Sequence, residues 1–324
     1  MTHKVLQSIQ KIKLFEGDFI MDRRTFMAAG LAAGAAAVSV AQSQPKTENI
    51  SLKGKFKLKY APSFGMFNNH AGKEPLDNIK FAAEQGFTAM FDNWISRKAI
   101  QLQEKIAKQM SSLDMALGPF IAYAEFEKKT FVTSDKDIRQ MLVKKMNEAV
   151  EVAKRVNGKW LLIVPGAFDT ALEWDYQTAN VIENLRYCTE VCEKSGHIIV
   201  IEPLNAWRDH PGLFLTKIPQ AYMICRAVNS PACKIVDDIY HQQITEGNLI
   251  PNIDKAWSEI ASFHLGDTPG RKEPGTGEIN YKNIFKHLYN KGYNDVLCME
   301  HGRSIKGIDG EKAVIEAYRQ CDNF

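Results

Sequence analysis

Short, predominantly apolar runs alternate along the chain with longer stretches whose apolar residues recur at helical spacing. The runs are Phe56–Ser63, Thr88–Asp92, Met115–Ala122, Trp160–Pro165, His197–Pro203, Cys233–Ile239, Ala261–Gly266 and Val296–Glu300. Runs of this length without polar alternation fit strands buried on both faces, as in a parallel sheet. Between the third and fourth, Ile138, Met141, Leu142, Met146, Ala149, Val152 and Ala153 mark one face of a helix. Gly86, Gly158, Gly196 and Gly292 stand just before the next run, where a left-handed residue closes a helix and turns the chain back. Strand–helix units of about 30–35 residues, repeated eight times, predict a closed parallel (β/α)8 TIM barrel, an α/β fold in a single domain. The alternative is an open doubly wound sheet. That fold normally carries a glycine-rich phosphate turn after its first strand, and Ala61-Pro-Ser-Phe-Gly-Met66 is not one. In a barrel, functional residues stand at the carboxyl ends of the strands.

Ahead of the first run the pattern changes. Met21-Asp-Arg-Arg-Thr-Phe-Met27 leads into Ala28–Ala41, a weakly apolar stretch rich in Ala and Gly. A basic start, a short apolar core and small residues at Ser39 and Ala41 read as an export leader over residues 1–41, cleaved before Gln42, with the barrel occupying 42–324. The apolar stretch is roughly 15 residues, short of the ~20 that span a bilayer, so no stable membrane anchor is expected. Arg23-Arg24 with Phe26 resembles the bacterial twin-arginine signal, which implies a periplasmic destination. A Sec signal with an incidental arginine pair is the alternative. Met21 offers a second start, which would make residues 1–20 an over-long reading of the chain.

Composition then narrows the function. The 324 residues are 45% hydrophobic and 24% charged, which are globular proportions. Net charge is +3, and outside the leader 36 bases face 35 acids. So even a balance argues against a nucleic-acid partner held through phosphates. Cys188, Cys192, Cys225, Cys233, Cys298 and Cys321 form no dense disulfide framework, and buried free thiols are expected for most of them.

The last four runs end in ionisable residues: Ile198-Ile-Val-Ile-Glu202, Lys234-Ile-Val-Asp-Asp238, Ala261-Ser-Phe-His264 and Val296-Leu-Cys-Met-Glu300. A carboxylate ending a buried strand is costly unless it is paired, hydrogen-bonded or bound to a metal. One alone reads as an ion-pair partner. Four on adjacent barrel strands converge on one point, so Glu202, Asp238, His264 and Glu300 are expected to bind a metal, with a structural ion-pair network as the alternative. Two Glu, one Asp and one His suit a single divalent ion, Mn²⁺, Mg²⁺ or Co²⁺ ahead of Zn²⁺. His241, three residues after Asp238, can reach a substrate oxygen or pack in its own loop. Arg271, in the Gly/Pro-rich loop after the seventh run, can bind a substrate carboxylate or hydroxyl pair, or be solvated. His70, after the first run, is placed by position at the wall of the site. Glu278 is expected to hold the loop or Arg271. His197 and His287 read as ordinary structural or surface residues, and Trp94 and Trp207 as an apolar wall or as core.

Glu202-Pro-Leu204, Asp238-Ile-Tyr-His241-x-Gln243, Glu246-Gly-Asn-Leu249, Pro269-Gly-Arg271-x-Glu-Pro274, Gly277-Glu-Ile-Asn-Tyr281 and the terminal Glu300 carry a further signal. With them, the chain from about Lys57 to Asp322 resembles the xylose isomerase-like barrel superfamily, specifically the hydroxypyruvate isomerase-like proteins. The resemblance implies that Glu202, Asp238, His264 and Glu300 hold one divalent metal, and that Glu202 and Glu300 are also the proton donor and acceptor. His is usual at position 264 in the related ketose 3-epimerases, whereas bacterial hydroxypyruvate isomerases usually carry Gln. Isomerase and epimerase therefore both stay open. Either reaction removes a proton beside a carbonyl, with two carboxylates as base and acid and a divalent ion stabilising the enediolate.

The expected function is a metal-dependent isomerase of a small hydroxy-carbonyl compound or sugar, with a sugar epimerase as the alternative. Two further alternatives are an endonuclease IV-like phosphodiesterase, which uses three zinc ions and many more His ligands, and a non-catalytic carbohydrate-binding barrel. The expected partner is a small-molecule substrate, and oligomeric state is left open, a homo-oligomer included. The leader carries its own test. Changing Arg23→Lys together with Arg24→Lys keeps the charge that Sec export needs and removes the twin-arginine pair, so folded protein is expected to stay in the cytoplasm. Normal export of the double variant on cell fractionation would overturn the twin-arginine reading.

Overall fold

Nine strands and ten α-helices are found in the computed structural model, which describes residues 54–324; the leader reading of 1–41 lies outside the described residues. The strands are β1 (Lys59–Pro62), β2 (Ala89–Met90), β3 (Ala116–Leu117), β4 (Phe120–Glu125), β5 (Trp160–Pro165), β6 (Ile198–Ile201), β7 (Cys233–Asp238), β8 (Ile260–Leu265) and β9 (Val296–Met299). Seven pair in parallel in the order β1-β9-β8-β7-β6-β5-β4, and β2 pairs in parallel with β3. The ribbon of β2 and β3 fills the gap between β1 and β4. Phe91 N donates to Pro62 O at 3.0 Å on one side, and Ile121 N donates to Asn93 O at 3.1 Å on the other. This is the expected barrel.

Nine segments occupy eight positions because the third apolar run is broken. Pro119 has no N–H for a ladder, and Gly118 lies so close to the facing strand that a Cβ there would stand 2.6 Å from Cys298 Sγ. The chain bends at this pair, β3 joining β2 and β4 joining β5. The fifth to eighth runs are therefore β6 to β9. The first run also shortens: Phe56 and Leu58 are buried ahead of β1 rather than paired in it.

The helices are α1 (Asn68–Ala71), α2 (Pro75–Glu84), α3 (Ile100–Ser112), α4 (Lys136–Val156), α5 (Trp174–Ser195), α6 (Ile218–Val228), α7 (Ile239–Thr245), α8 (Leu249–Ala256), α9 (Tyr281–Asn290) and α10 (Gly307–Asp322). α4 starts where the Asp135 carboxylate accepts the N–H groups of Asp137 and Ile138, and it buries Leu142, Met146, Ala149 and Ala153. Gly86, Gly196 and Gly292 take the expected left-handed conformation (φ 87, 74 and 75°). Gly158 does not. Asn157, at φ 54°, closes α4 one residue earlier, a conformation Asn tolerates because its short side chain bonds locally. Among the described residues all six cysteines are free and five are buried, and no helix is long and apolar enough to cross a membrane.

Two apolar layers fix where the site falls. Ile199, Ile201, Ile235, Phe263 and Leu297 face the helices, whereas Val200, Val236, Val296 and Cys298 belong to the cluster filling the barrel. Successive strand residues alternate faces. Two residues beyond Val200, Val236, Ser262 and Cys298 come Glu202, Asp238, His264 and Glu300, all directed to the barrel axis at its carboxyl end.

The bend at Gly118 gives a stability test. Gly118→Ala is expected to cost about 1–3 kcal/mol in urea denaturation, because its Cβ overpacks against Cys298. Adding Cys298→Ala removes the opposing sulfur and should recover much of that loss. Strictly additive losses in the double variant would contradict this contact.

Candidate active site

The four strand ends converge as their alternation requires. One ligand atom from each of Glu202, Asp238, His264 and Glu300 lies within 4.8 Å of the others. His264 Nδ1 stands 2.9 Å from Glu202 Oε1 and 3.1 Å from Glu300 Oε2. Its ring packs on Phe91, which walls the barrel below. Asp238 turns Oδ1 away from the cluster to accept the N–H groups of Tyr240 (2.8 Å) and His241 (3.1 Å), so the same carboxylate caps α7. Its Oδ2 faces Arg271, whose Nη2 lies 2.8 Å from it and 2.7 Å from Glu300 Oε2. Asn93, three residues past β2, donates its amide to Glu300 Oε1.

Charge in this buried space is uneven. Burial, reinforced by Glu300 and Asp238, pushes the Glu202 carboxyl up to about 7 against the pull of His264. Burial would raise Glu300 too, but His264 and Arg271 hold it well below the usual carboxylate range. His264 itself is carried well above its usual value, the carboxylates of Glu300 and Glu202 overriding burial. Three carboxylates thus share one guanidinium and one imidazole. Oxygen and nitrogen donors with excess negative charge at this spacing fit a divalent cation, and contain no thiolate that would mark a structural zinc site.

The loop after β8 that carries Arg271 is held by a residue the sequence pattern does not mark. Asp267 is fully buried, and its two oxygens accept the N–H groups of Thr268, Gly275, Gly277 and Ile279 at 2.9–3.0 Å. Its own carbonyl accepts Arg271 N at 2.7 Å, which fixes Arg271 in the left-handed region at φ 50°. A Cβ on Gly277 would lie 1.9 Å from Thr268 O, so the loop closes tightly on itself. Glu278 holds the loop through Gln243 Nε2 on α7 (3.2 Å), not through Arg271.

Beside Glu300 a cavity of about 280 Å³ opens at the barrel mouth, with Phe64, Phe91, Asn93, Trp94 and His301 in its wall. A larger hollow, about 440 Å³, lies on the outer face between α4 and α5 and contains none of the four clustered residues. His241 is buried in the first turn of α7 with Nε2 3.6 Å from Asp238 Oδ2, and burial lowers its pKa to about 4. His70 is not brought to the cluster: its Nδ1 lies 2.6 Å from Glu311 Oε2 and its ring stacks on Phe81, joining α1 to α10. Trp94 borders the cavity, whereas Trp207 is 80% exposed and walls nothing. His197 bonds Ser195 and His287 pairs with Asp254, both structural roles as expected. Asn93 and Asp267 stand outside the set that the sequence pattern marks. Asn93 was legible, since it directly follows the second apolar run.

The model of the xylose isomerase-like TIM barrel family matches residues 79–321. The chain is 35% identical over 153 residues to the hydroxypyruvate isomerase of Escherichia coli (strain K12), covering 47% of this chain and 59% of that one. It therefore spans less than two thirds of that relative's length. To the 2-oxo-tetronate isomerase of Cupriavidus necator it is 26% identical over 240 residues, covering 73% and 89% of the two chains. Among solved structures, the family 2 AP endonuclease from Brucella melitensis superposes with a TM-score of 0.66 at 23% identity, over 78% of this chain and 96% of that one. At that identity the likeness speaks for the fold alone.

The Asp267 anchor predicts a specific loss. Asp267→Ala strands four backbone N–H groups and is expected to cost about 3–5 kcal/mol in chemical denaturation, with the Arg271 loop becoming sensitive to protease in the native state. An Asp267→Ala protein of wild-type stability and protease resistance would contradict this role.

Proposed function

We infer that this chain, which belongs to the xylose isomerase-like TIM barrel family, is a divalent-metal-dependent isomerase acting on a small hydroxy-carbonyl compound or sugar. One observation carries the reading. Glu202, Asp238, His264 and Glu300, on four adjacent strand ends, bring one ligand atom each within 4.8 Å of the others, and two of them, Glu202 and Glu300, are carboxylates within 3.1 Å of the same imidazole nitrogen. The names of the isomerase relatives from Escherichia coli and Cupriavidus necator support it.

Glu202, Asp238, His264 and Glu300 would hold the ion, which when bound polarises the substrate carbonyl and stabilises the enediolate charge. Glu300, kept ionised by His264 and Arg271, accepts the proton from the carbon beside the carbonyl. Glu202 supplies the proton to the former carbonyl carbon while the proton of the adjacent hydroxyl passes to the former carbonyl oxygen, and the two carboxyl groups exchange roles when the reaction reverses. Arg271 and His241 face the same space and offer N–H donors to substrate oxygens. Phe64, Phe91 and Trp94 give the cavity beside Glu300 an apolar wall.

Epimerisation is the second reading, favoured by His264 in place of Gln. The same base would remove the proton and the partner acid would return it to the opposite face of that carbon. A three-zinc phosphodiesterase would need more ligands than the single cluster found among the described residues. A carbohydrate-binding barrel would have no use for the acid–base pair. Export to the periplasm behind a leader over 1–41, with the barrel over 42–324, completes the proposal and is supported by the sequence pattern.

Deuterium uptake from D₂O tests the chemistry directly. With Mn²⁺ or Mg²⁺ supplied, wild-type protein should place solvent deuterium in one member of a panel of hydroxypyruvate, tetronates and ketoses. Glu300→Gln should lower that exchange by about 10²-fold or more, since an amide cannot take the proton. Label on the neighbouring carbon marks isomerisation, and inversion at the same carbon marks epimerisation. No exchange into any of the panel, or full exchange by Glu300→Gln, would sink the reading.

A further inference from the structure

Among the described residues His241 Nδ1 is approached by two nitrogens and by no oxygen hydrogen-bond partner: the side-chain Nδ2 of Asn205 at 2.6 Å and the backbone N of Asn205 at 3.3 Å. The amide of Asn205 has no freedom to turn over. Its Oδ1 accepts the backbone N–H groups of Arg208 and Asp209, both at 3.1 Å. Its Nδ2 donates to Asp209 Oδ2 at 2.9 Å as well as to the imidazole. All four hydrogen-bonding positions of a fully buried amide are thus used, and only one orientation satisfies them. Asp209 is fixed in turn by the Tyr240 hydroxyl, which donates to the same Oδ2 at 2.9 Å.

Two N–H groups aimed at one ring nitrogen require that nitrogen to be an acceptor. We propose that Asn205 and Asp209 are positioning residues that lock His241 in the Nε2–H tautomer, so that it presents a hydrogen-bond donor to a substrate oxygen at the carboxylate cluster. The direction is right, because Nε2 is the ring atom on the cluster side, 3.6 Å from Asp238 Oδ2. A substrate carbonyl or hydroxyl oxygen needs a donor there. The opposite tautomer would offer it a lone pair. The functional half of this proposal rests on the isomerase reading above; the tautomer itself rests on the hydrogen-bond network.

A charge-conserving swap, Asn205→Asp with Asp209→Asn, separates tautomer from structure. The carboxylate introduced at position 205 can keep both backbone bonds through one oxygen. The amide introduced at position 209 can place its nitrogen where Oδ2 stands, donating one N–H to that carboxylate and the other to the Tyr240 hydroxyl oxygen. The side-chain atom facing His241 Nδ1 changes from donor to charged acceptor, which outweighs the longer backbone N–H contact and calls for the Nδ1–H tautomer. The readout is long-range ¹H–¹⁵N correlation on the full chain, ¹⁵N-labelled at histidine and supplied with Mg²⁺, with His241 assigned by its loss in His241→Gln. Wild type should show a protonated Nε2 and a bare Nδ1, and the swap the reverse. The swap's kcat for deuterium exchange should fall about tenfold or more with KM little changed. A wild-type Nδ1–H tautomer, or a swap that keeps Nε2–H, would overturn the assignment, and a swap with reversed tautomer and wild-type kcat would overturn the donor role. Because the wild-type spectrum alone can refute the assignment, a swap that fails to fold does not shield it. Absence of exchange by wild type would count against the isomerase reading and leave the tautomer measurement standing.

Discussion

Three carboxylates within 4.8 Å of a common imidazole, at the end of an apolar barrel, set the terms for everything around them. Like charges at such distances repel strongly in a low-dielectric site, and each has already lost much of its water. The barrel offers no relief from below, since Val200, Val236 and Cys298 fill the layer beneath Glu202, Asp238 and Glu300. Relief comes from above and from the side. Arg271 reaches two of the carboxylates, Asn93 bonds one of them, and the first turn of α7 gives two N–H groups to Asp238. Among the described residues Glu202 has only His264 as a hydrogen-bond partner, and burial raises its pKa against that pull. A divalent cation is the species whose charge and coordination answer that imbalance.

Rigidity around the cluster follows from the same constraint, because a guanidinium balances carboxylates only if it is held in place. Arg271 sits in a left-handed conformation that Gly would adopt freely, and the Asp267 carboxylate collects four backbone N–H groups to keep the loop there. Opposite it, Asp238 performs two tasks at once, facing the cluster with one oxygen and organising α7 with the other. His241 is thereby tied to the ligand set through the helix that Asp238 begins. Sites built this way, on strand ends with supporting hydrogen bonds, hold geometry better than sites made of free loops.

The fold was legible wherever burial is periodic. Eight apolar runs on a strand–helix repeat gave the barrel, and the rule that sites lie at the carboxyl ends of strands gave Glu202, Asp238, His264 and Glu300. Local backbone detail was less legible. Gly118-Pro119 looked like the interior of one strand, and the closeness that breaks it comes from Cys298, far along the chain. Gly158 matched the expected helix stop, yet Asn157 supplied it. His70 stands where a site residue would, but Glu311, buried in α10, takes its ring together with Asn69 and Arg303. Asn205 and Asp267 lie in connecting segments where no period marks them, and their importance appears only when their hydrogen bonds are counted.

Whether the cluster binds a cation is the claim from which the chemistry proceeds. Calorimetric titration of Mn²⁺ into chelator-stripped protein measures it without any knowledge of the substrate. The expected result is one ion per chain in wild type, with affinity at least about tenfold weaker in the near-isosteric Glu202→Gln, which removes one anionic donor but keeps its shape. No saturable binding in folded wild-type protein, or identical binding by Glu202→Gln, would contradict a metal site at the four strand ends.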